Sequence, residues 1–260
     1  MIRGLKIRFI LMAMIGLLAL MAGALLLKEG SRVATDAQKT EWLQQANRMA
    51  DDILTANGAE AQERGLTAEA ISHPRTVSAV TREQIRQRRA AGDAAYQDAL
   101  GLAQRMAAGK AGHPLTNSLA QLDERRKRLE SLRSEVDRAF ETQVPTVAPK
   151  EWIAACTDFI DALAQVRRDA FTARDSLDEA YRNNLQIKEL IFLAAEHAGR
   201  ERATIGAVIA QGRSLTPEEK GILARNRAIV DQNLDTLQRL TQQAEPGSRL
   251  GVAVQAMKGE

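Results

Sequence analysis

Six prolines partition this chain, and their positions constrain its fold more than any other feature. They occur at Pro74, Pro114, Pro145, Pro149, Pro217 and Pro246, leaving long proline-free stretches between them. A proline lacks the amide a helix interior needs, and it biases the preceding residue away from helical geometry. The stretches between prolines carry no period-2 alternation of convincing length, whereas apolar residues recur at helical spacing throughout. The apolar content of 45% comes mainly from Ala and Leu, and aromatics make up only 3%. That mixture, with abundant Arg, Gln and Glu, favours helix.

The expected fold is therefore all-α: an N-terminal transmembrane helix followed by long antiparallel helices forming one or two four-helix bundles. A first helix is expected to end at about Ser72, before His73-Pro74. The second is expected over Val77 to Ala108, the third over Asn117 to Thr142, and the fourth from Pro149 to about Arg174. A weakly marked break precedes a fifth, reaching about Gly212. Thr216-Pro217-Glu218-Glu219 then reads as N-cap, first-turn proline and capping-box acid, opening a sixth helix that runs to about Glu245. From Arg249 to Glu260 a new helical pattern starts and stops, as expected of a chain truncated at its C-terminus.

The uncharged run Phe9 to Leu27 is preceded by Arg3, Lys6 and Arg8. As a helix its 19 residues rise about 28 Å, close to the thickness of a bilayer's hydrocarbon core. Ala22-Gly23-Ala24 fits a signal-peptidase site, but cleavage there would leave Leu25-Leu26-Leu27 as an apolar mature end, so an uncleaved anchor is favoured. Residues 1–8 are then a cytoplasmic basic stub and 9–27 the anchor. Residues 28–260 form a helical domain outside the inner membrane, in the periplasm, oriented by the usual behaviour of a first span.

Composition removes several function classes. One cysteine, Cys156, cannot form an intramolecular disulfide, and no Cys/His pairs stand at zinc-ligand spacing. The net charge of +3 is the difference between 36 basic and 33 acidic residues and gives no case for nucleic acid. The basic run Arg125 to Arg128 is flanked by acids and reads as a solvated helix face. No nucleophile–base pair, phosphate loop or acidic metal cluster stands out from the helical background, so no catalysis, cofactor or metal is expected. His73 and His113 each precede a proline and belong to turns; His197 is expected at the surface or satisfied by a partner, and Cys156 packed among Ile153 and Ile160.

An approximate internal repeat at an offset of 138 residues is more informative. Ile53, Ala56, Glu63, Arg64 and Ile71 match Ile191, Ala194, Glu201, Arg202 and Ile209. Arg202 shares a helical stripe with Ile191, Ala195, Ala198, Gly199, Ile205, Gly206 and Ile209, which is expected to point into a bundle. Arg64 sits similarly, among Ile53, Ala61, Ala68 and Ile71, with Asn57 and Thr67 adding polar groups. A buried guanidinium stays charged and needs an anion or acceptors. One solution is internal, with Glu63 and Glu201 pairing crosswise to the two arginines. The other is a small external anion between them, with room left by Gly65, Ala203 and Gly199 and a hydroxyl from Thr67 or Thr204.

Gln62-Glu63-Arg64-Gly65-Leu66-Thr67 and Glu196-His197-Ala198-Gly199-Arg200-Glu201-Arg202-Ala203, continued by Ile209 to Arg213 and Thr216 to Glu219, resemble the two signature segments of the nitrate- and nitrite-sensing domain family. The resemblance covers about Val33 to Glu260. It implies an all-helical sensor domain of paired four-helix bundles, commonly the extracytoplasmic part of chemotaxis receptors and other transmembrane signalling proteins. It implies nitrate, nitrite or a similar small anion as ligand, with contacts at Arg64 and Arg202, Arg200 as a further candidate and Thr67 beside them. A homodimer is expected by analogy with transmembrane receptors. The competing expectation is a membrane-tethered helical scaffold with no small-molecule ligand.

Overall fold

The computed structural model describes the backbone of residues 2–72, 77–108, 114–172 and 179–242, and side chains over the same ranges except 2–27, 30, 34–36, 172, 179–182, 210 and 241–242. The described residues form six helices and no strand: α1 (Ile2–Ser72), α2 (Ala79–Ala107), α3 (Pro114–Thr142), α4 (Pro149–Thr172), α5 (Glu179–Ala210) and α6 (Pro217–Gln242). The all-α expectation holds. Among the described residues no helix is long and apolar enough to cross a membrane. The Phe9–Leu27 run is helical as part of α1, and its side chains lie outside the described set. His73-Pro74, residues 109–113, residues 173–178, Pro246-Gly247 and the Arg249 to Glu260 segment also lie outside it.

The chain divides into two compact units, Met1–Asn47 and Arg48–Glu260. The second contains α2 to α6 and the C-terminal part of α1. Within it, burial patterns follow from where apolar residues fall on each helix. On α4, Trp152, Cys156, Phe159, Leu163, Val166 and Ala170 form one heptad-like seam, and Ala155, Ile160, Ala164 and Phe171 widen it. A helix buried over so wide an arc needs neighbours on more than one side. It packs on α3, and Ile160 and Ala164 also contact Phe192 of α5. The α1 segment from Met49 to Ile71 is similarly buried, whereas α6 buries only the narrow stripe Asn226, Val230, Asn233 and Leu237. On α3, Leu115, Leu122, Leu129 and Val136 recur every seven residues.

The ends obey local rules. The capping box of α6 forms as expected: the Glu219 amide donates to Thr216 Oγ1 at 3.2 Å and the Thr216 amide to Glu219 Oε2 at 2.9 Å. Past the end of α5, Gly212 takes φ +60°, and Gly212 and Arg213 amides reach back to the Ile209 and Val208 carbonyls in the Schellman pattern. Helix α3 begins at Pro114, three residues before the expected Asn117, because a proline at the first helical position loses no intrahelical bond.

Two expectations need correction. The Arg125 to Arg128 run is not wholly solvated: Arg126 is buried and bonds Asp93 of α2 at 2.8 Å and Glu130 at 2.7 Å. The α5 stripe bearing Arg202 does not point inward: Arg202 is exposed, Ile205 is 44% exposed and Ile209 72%. The buried stripe is Phe192, Glu196, Gly199 and Ala203, one residue along from the expected face. One residue is about 100° of helix rotation, so this small phase error turns Arg202 from the core to the rim of a cleft.

Candidate functional site

The polar residues in the middle of α1 follow its buried face: Asn57, Glu60, Glu63, Arg64 and Thr67 are all buried, between Ile53 and Ile71. The two glutamates and the arginine face different helices. Glu60 and Glu63 both accept from Arg133 of α3, Glu60 at 2.8 and 3.0 Å. Glu63 also accepts from Arg89 of α2 at 2.9 Å. The glycine at Gly92 allows this approach, since a Cβ there would lie 2.9 Å from Glu60 Oε1. Burial pushes the Glu60 carboxyl up to about 7, with Arg133 opposing and the neighbouring Glu63 charge reinforcing the rise.

Arg64 faces the other side. Its Nη1 donates to Glu196 Oε1 of α5 at 2.6 Å and to Thr157 Oγ1 of α4 at 2.9 Å, and its Nη2 donates to Glu196 Oε2 at 3.2 Å. The Trp152 indole donates to the Arg64 carbonyl at 3.1 Å, fixing the backbone that carries it. Glu196 also accepts from Arg200 Nε at 2.7 Å, and Arg200 Nη2 bonds Asp161 of α4 at 2.9 and 3.1 Å. The internal pairing expected from the sequence is thus realised with different partners. Glu63 pairs with Arg133 and Arg89, Glu201 with Arg227 at 2.8 Å, and the glutamate that neutralises Arg64 is Glu196.

The pairing leaves a remainder. A guanidinium has five N–H donors on three edges. Glu196 occupies the end-on edge between Nη1 and Nη2, while Nε of the fully buried Arg64 has no acceptor among the described residues. The side-on edge, Nε–H with the outer Nη2–H, is therefore unused. Three residues along the same face, buried Thr67 Oγ1 also lacks a partner. Gly199 adjoins this edge: a Cβ on it would sit 3.1 Å from Arg64 Nη2 and 4.0 Å from Arg202 Nη2. The two guanidinium groups converge on Gly199, a position of α5 that has no side chain.

Arg202 has no ion pair or hydrogen bond among the described residues. It lines a cleft of about 460 Å³ between α1, α2 and α5, with Gly199, Gly65 and Ala203 on the walls, Gln62, Gln84 and Arg88 supplying further donors, and Glu69 a carboxylate. Of the four candidates, Arg64 and Arg202 come together at Gly199. Arg200 is turned toward Glu196 and Asp161, and Thr67 lies buried on the Arg64 face. Glu196, which holds both Arg64 and Arg200, is the residue sequence reasoning missed; its position between Phe192 and Gly199 on the buried stripe was the available signal.

His197 is satisfied by a partner, its Nδ1 lying 2.9 Å from Asn226 Oδ1. Cys156 is buried, and burial raises its thiol well above the usual range, in keeping with a packed, unreactive residue.

The residues that meet at Gly199 belong to the two segments on which the family resemblance rests. Matching the whole chain against family descriptions gives nitrate and nitrite sensing over residues 58–258. The chain belongs to this family. The match starts at Gly58, inside α1, rather than at Val33, and takes in both arginine-bearing segments. This nitrate and nitrite sensing domain matches no curated protein and no solved structure. The family is a sensing family, and sensing is the role it assigns to the matched residues.

Proposed function

We propose that this protein is a membrane-anchored sensor that binds nitrate, nitrite or a similar small anion in the cleft that Arg202 and Gly199 line, beside the buried Arg64. In this reading Phe9–Leu27 spans the inner membrane and the helical domain lies in the periplasm. The protein acts as a homodimer and signals to an output module of the chemoreceptor type. One observation carries the ligand assignment: among the described residues, the fully buried Arg64 keeps an unused side-on pair of donors next to a glycine and a second, unpaired guanidinium.

The chemistry fits. Nitrate and nitrite present coplanar oxygens that match a guanidinium's paired donors. Charge-assisted hydrogen bonds contribute about 1.5–3 kcal/mol each, and micromolar binding requires about 8 kcal/mol. The two donors of Arg64 fall short alone; with Arg202 closing from α5 the sum suffices. Binding then ties α5 to α1, the helix that continues N-terminally into the apolar run, so occupancy favours one arrangement of the two helices.

A second reading has its own support: Arg64 already holds Glu196 as counter-ion, which is what a ligand-free helical scaffold would need. Calorimetric titration of the full chain in nanodiscs with nitrate, nitrite and chloride separates the two. The sensor reading expects saturable binding of nitrate or nitrite, abolished in Arg202→Gln, a substitution at an exposed side chain that leaves the fold intact. No heat and no thermal stabilisation at millimolar nitrate and nitrite overturns it in favour of the scaffold.

A further inference from the structure

A second cleft, of about 420 Å³, lies on the opposite side of α5, where α4, α5 and α6 meet. Its walls follow helical stripes: Ile153 and Thr157 on α4, His197, Arg200 and Thr204 on α5, with Arg200 already paired to Glu196 and Asp161, and Ile222, Arg225, Asn226 and Ile229 on α6. Asn226 is only 7% exposed; its Oδ1 meets His197, but its buried Nδ2 has no acceptor among the described residues. A buried amide donor left unmade costs about 1–3 kcal/mol, so an acceptor supplied from outside recovers that loss. Beside it, Arg225 has no ion pair among the described residues. Thr157 already accepts from Arg64, leaving its own hydroxyl proton to donate.

These groups specify a ligand unlike the one at Gly199. The donors of Arg225, Asn226 and Thr157 call for an anion with at least two acceptor oxygens. The three isoleucines call for an apolar body, which nitrate and nitrite lack. We infer that this cleft binds a small aliphatic carboxylate, its oxygens held by Arg225 and Asn226 and its hydrocarbon part against Ile153, Ile222 and Ile229. The inference stands independently of the nitrate reading, because the two clefts share no lining residue.

Isovalerate, with its uncharged analogue isovaleramide, is the probe, titrated calorimetrically into the full chain in nanodiscs. Isovalerate binds saturably and is not displaced by excess nitrate, and isovaleramide binds at least about tenfold more weakly, the loss of one charge-assisted bond. Arg225→Gln, at an exposed side chain, weakens isovalerate by a similar factor with the unliganded Tm unchanged, whereas Arg202→Gln leaves isovalerate binding intact. The proposal is overturned by absence of saturable binding at millimolar isovalerate, by equal affinity for the amide, or by unchanged affinity in Arg225→Gln. Loss in Arg202→Gln also overturns it, by assigning the ligand to the first cleft.

Discussion

Replacing Gly199 by alanine separates the ligand function of the first cleft from the stability of the helices around it. The new Cβ would lie 3.1 Å from Arg64 Nη2 and 4.0 Å from Arg202 Nη2, narrowing the space beside the Arg64 edge that the proposed anion's oxygens need. Alanine in mid-helix gains about 1 kcal/mol over glycine. Against this stands the tight approach to Arg64, which cannot easily move because Glu196 and Thr157 hold its Nη groups. The two effects nearly offset, so Tm without ligand should change by no more than a few degrees. Binding, by contrast, loses the Arg64 contact. At about 1.5–3 kcal/mol for a charge-assisted bond, nitrate affinity falls roughly tenfold to a hundredfold or more. The assay is calorimetric titration of wild-type and Gly199→Ala protein, with a thermal melt of each alone. Undiminished nitrate affinity in a variant with wild-type Tm would refute the placement of the anion at the Arg64 edge.

Three further outcomes follow from the charge arrangement. Arg64→Ala leaves the buried Glu196 with Arg200 as its sole partner and should lower stability in urea unfolding by about 3–5 kcal/mol, while Arg64→Met combined with Glu196→Leu recovers most of that loss. Thr216→Ala removes the acceptor that caps α6 and should lower stability by about 1 kcal/mol, with faster amide exchange confined to the first turn of that helix. Glu60, raised from 4.5 to about 7, holds its proton more tightly folded than unfolded. Its contribution is therefore full below the unfolded value and is lost as pH rises through about 7, and Glu60→Gln should flatten denaturation curves across that window.

Most helix boundaries could be read from the sequence because their causes are local. The capping box at Thr216 and the proline at Pro149 each act within one turn of chain, and both helices begin where those residues require. The orientation of α5 was not local in this sense. Its buried face is written largely in Ala and Gly, which stand out little from the polar residues around them, so Ile205 and Ile209 outweighed Phe192 in fixing the expected stripe. Packing decided otherwise: Phe192 inserts against Ile160 and Ala164 of α4, and the isoleucines are left outside. The same rotation explains why Arg64 and Arg202, matched in the repeat, differ in burial. The partner of Arg64 was hidden for another reason. The Arg64–Glu196 contact joins residues 132 apart, and no helical periodicity encodes which of several glutamates will face a given arginine across a helix interface.

The division of charges along α1 bears on how a ligand signal would travel. Glu60 and Glu63 bind α1 to Arg133 of α3 and Arg89 of α2, whereas Arg64 binds it to Glu196 of α5 and Thr157 of α4. An anion at the unused edge of Arg64 repels Glu196, which already shares that guanidinium, and attracts Arg202 on the same helix. Both forces act between α1 and α5, and neither falls on the contacts to α2 and α3. Arg200 offers the displaced carboxylate an alternative cation on its own helix, so Glu196 can loosen from α1 without losing its counter-charge. On the proposed reading, the displacement that nitrate produces is therefore a shift of α5 against α1, with α2 and α3 retained as a fixed frame. Spin labels on exposed positions of α2, α3 and α5 should show a ligand-dependent distance change only in pairs that include α5. An equal change between α2 and α3 would mean that the ion pairs of Glu60 and Glu63 do not hold that frame.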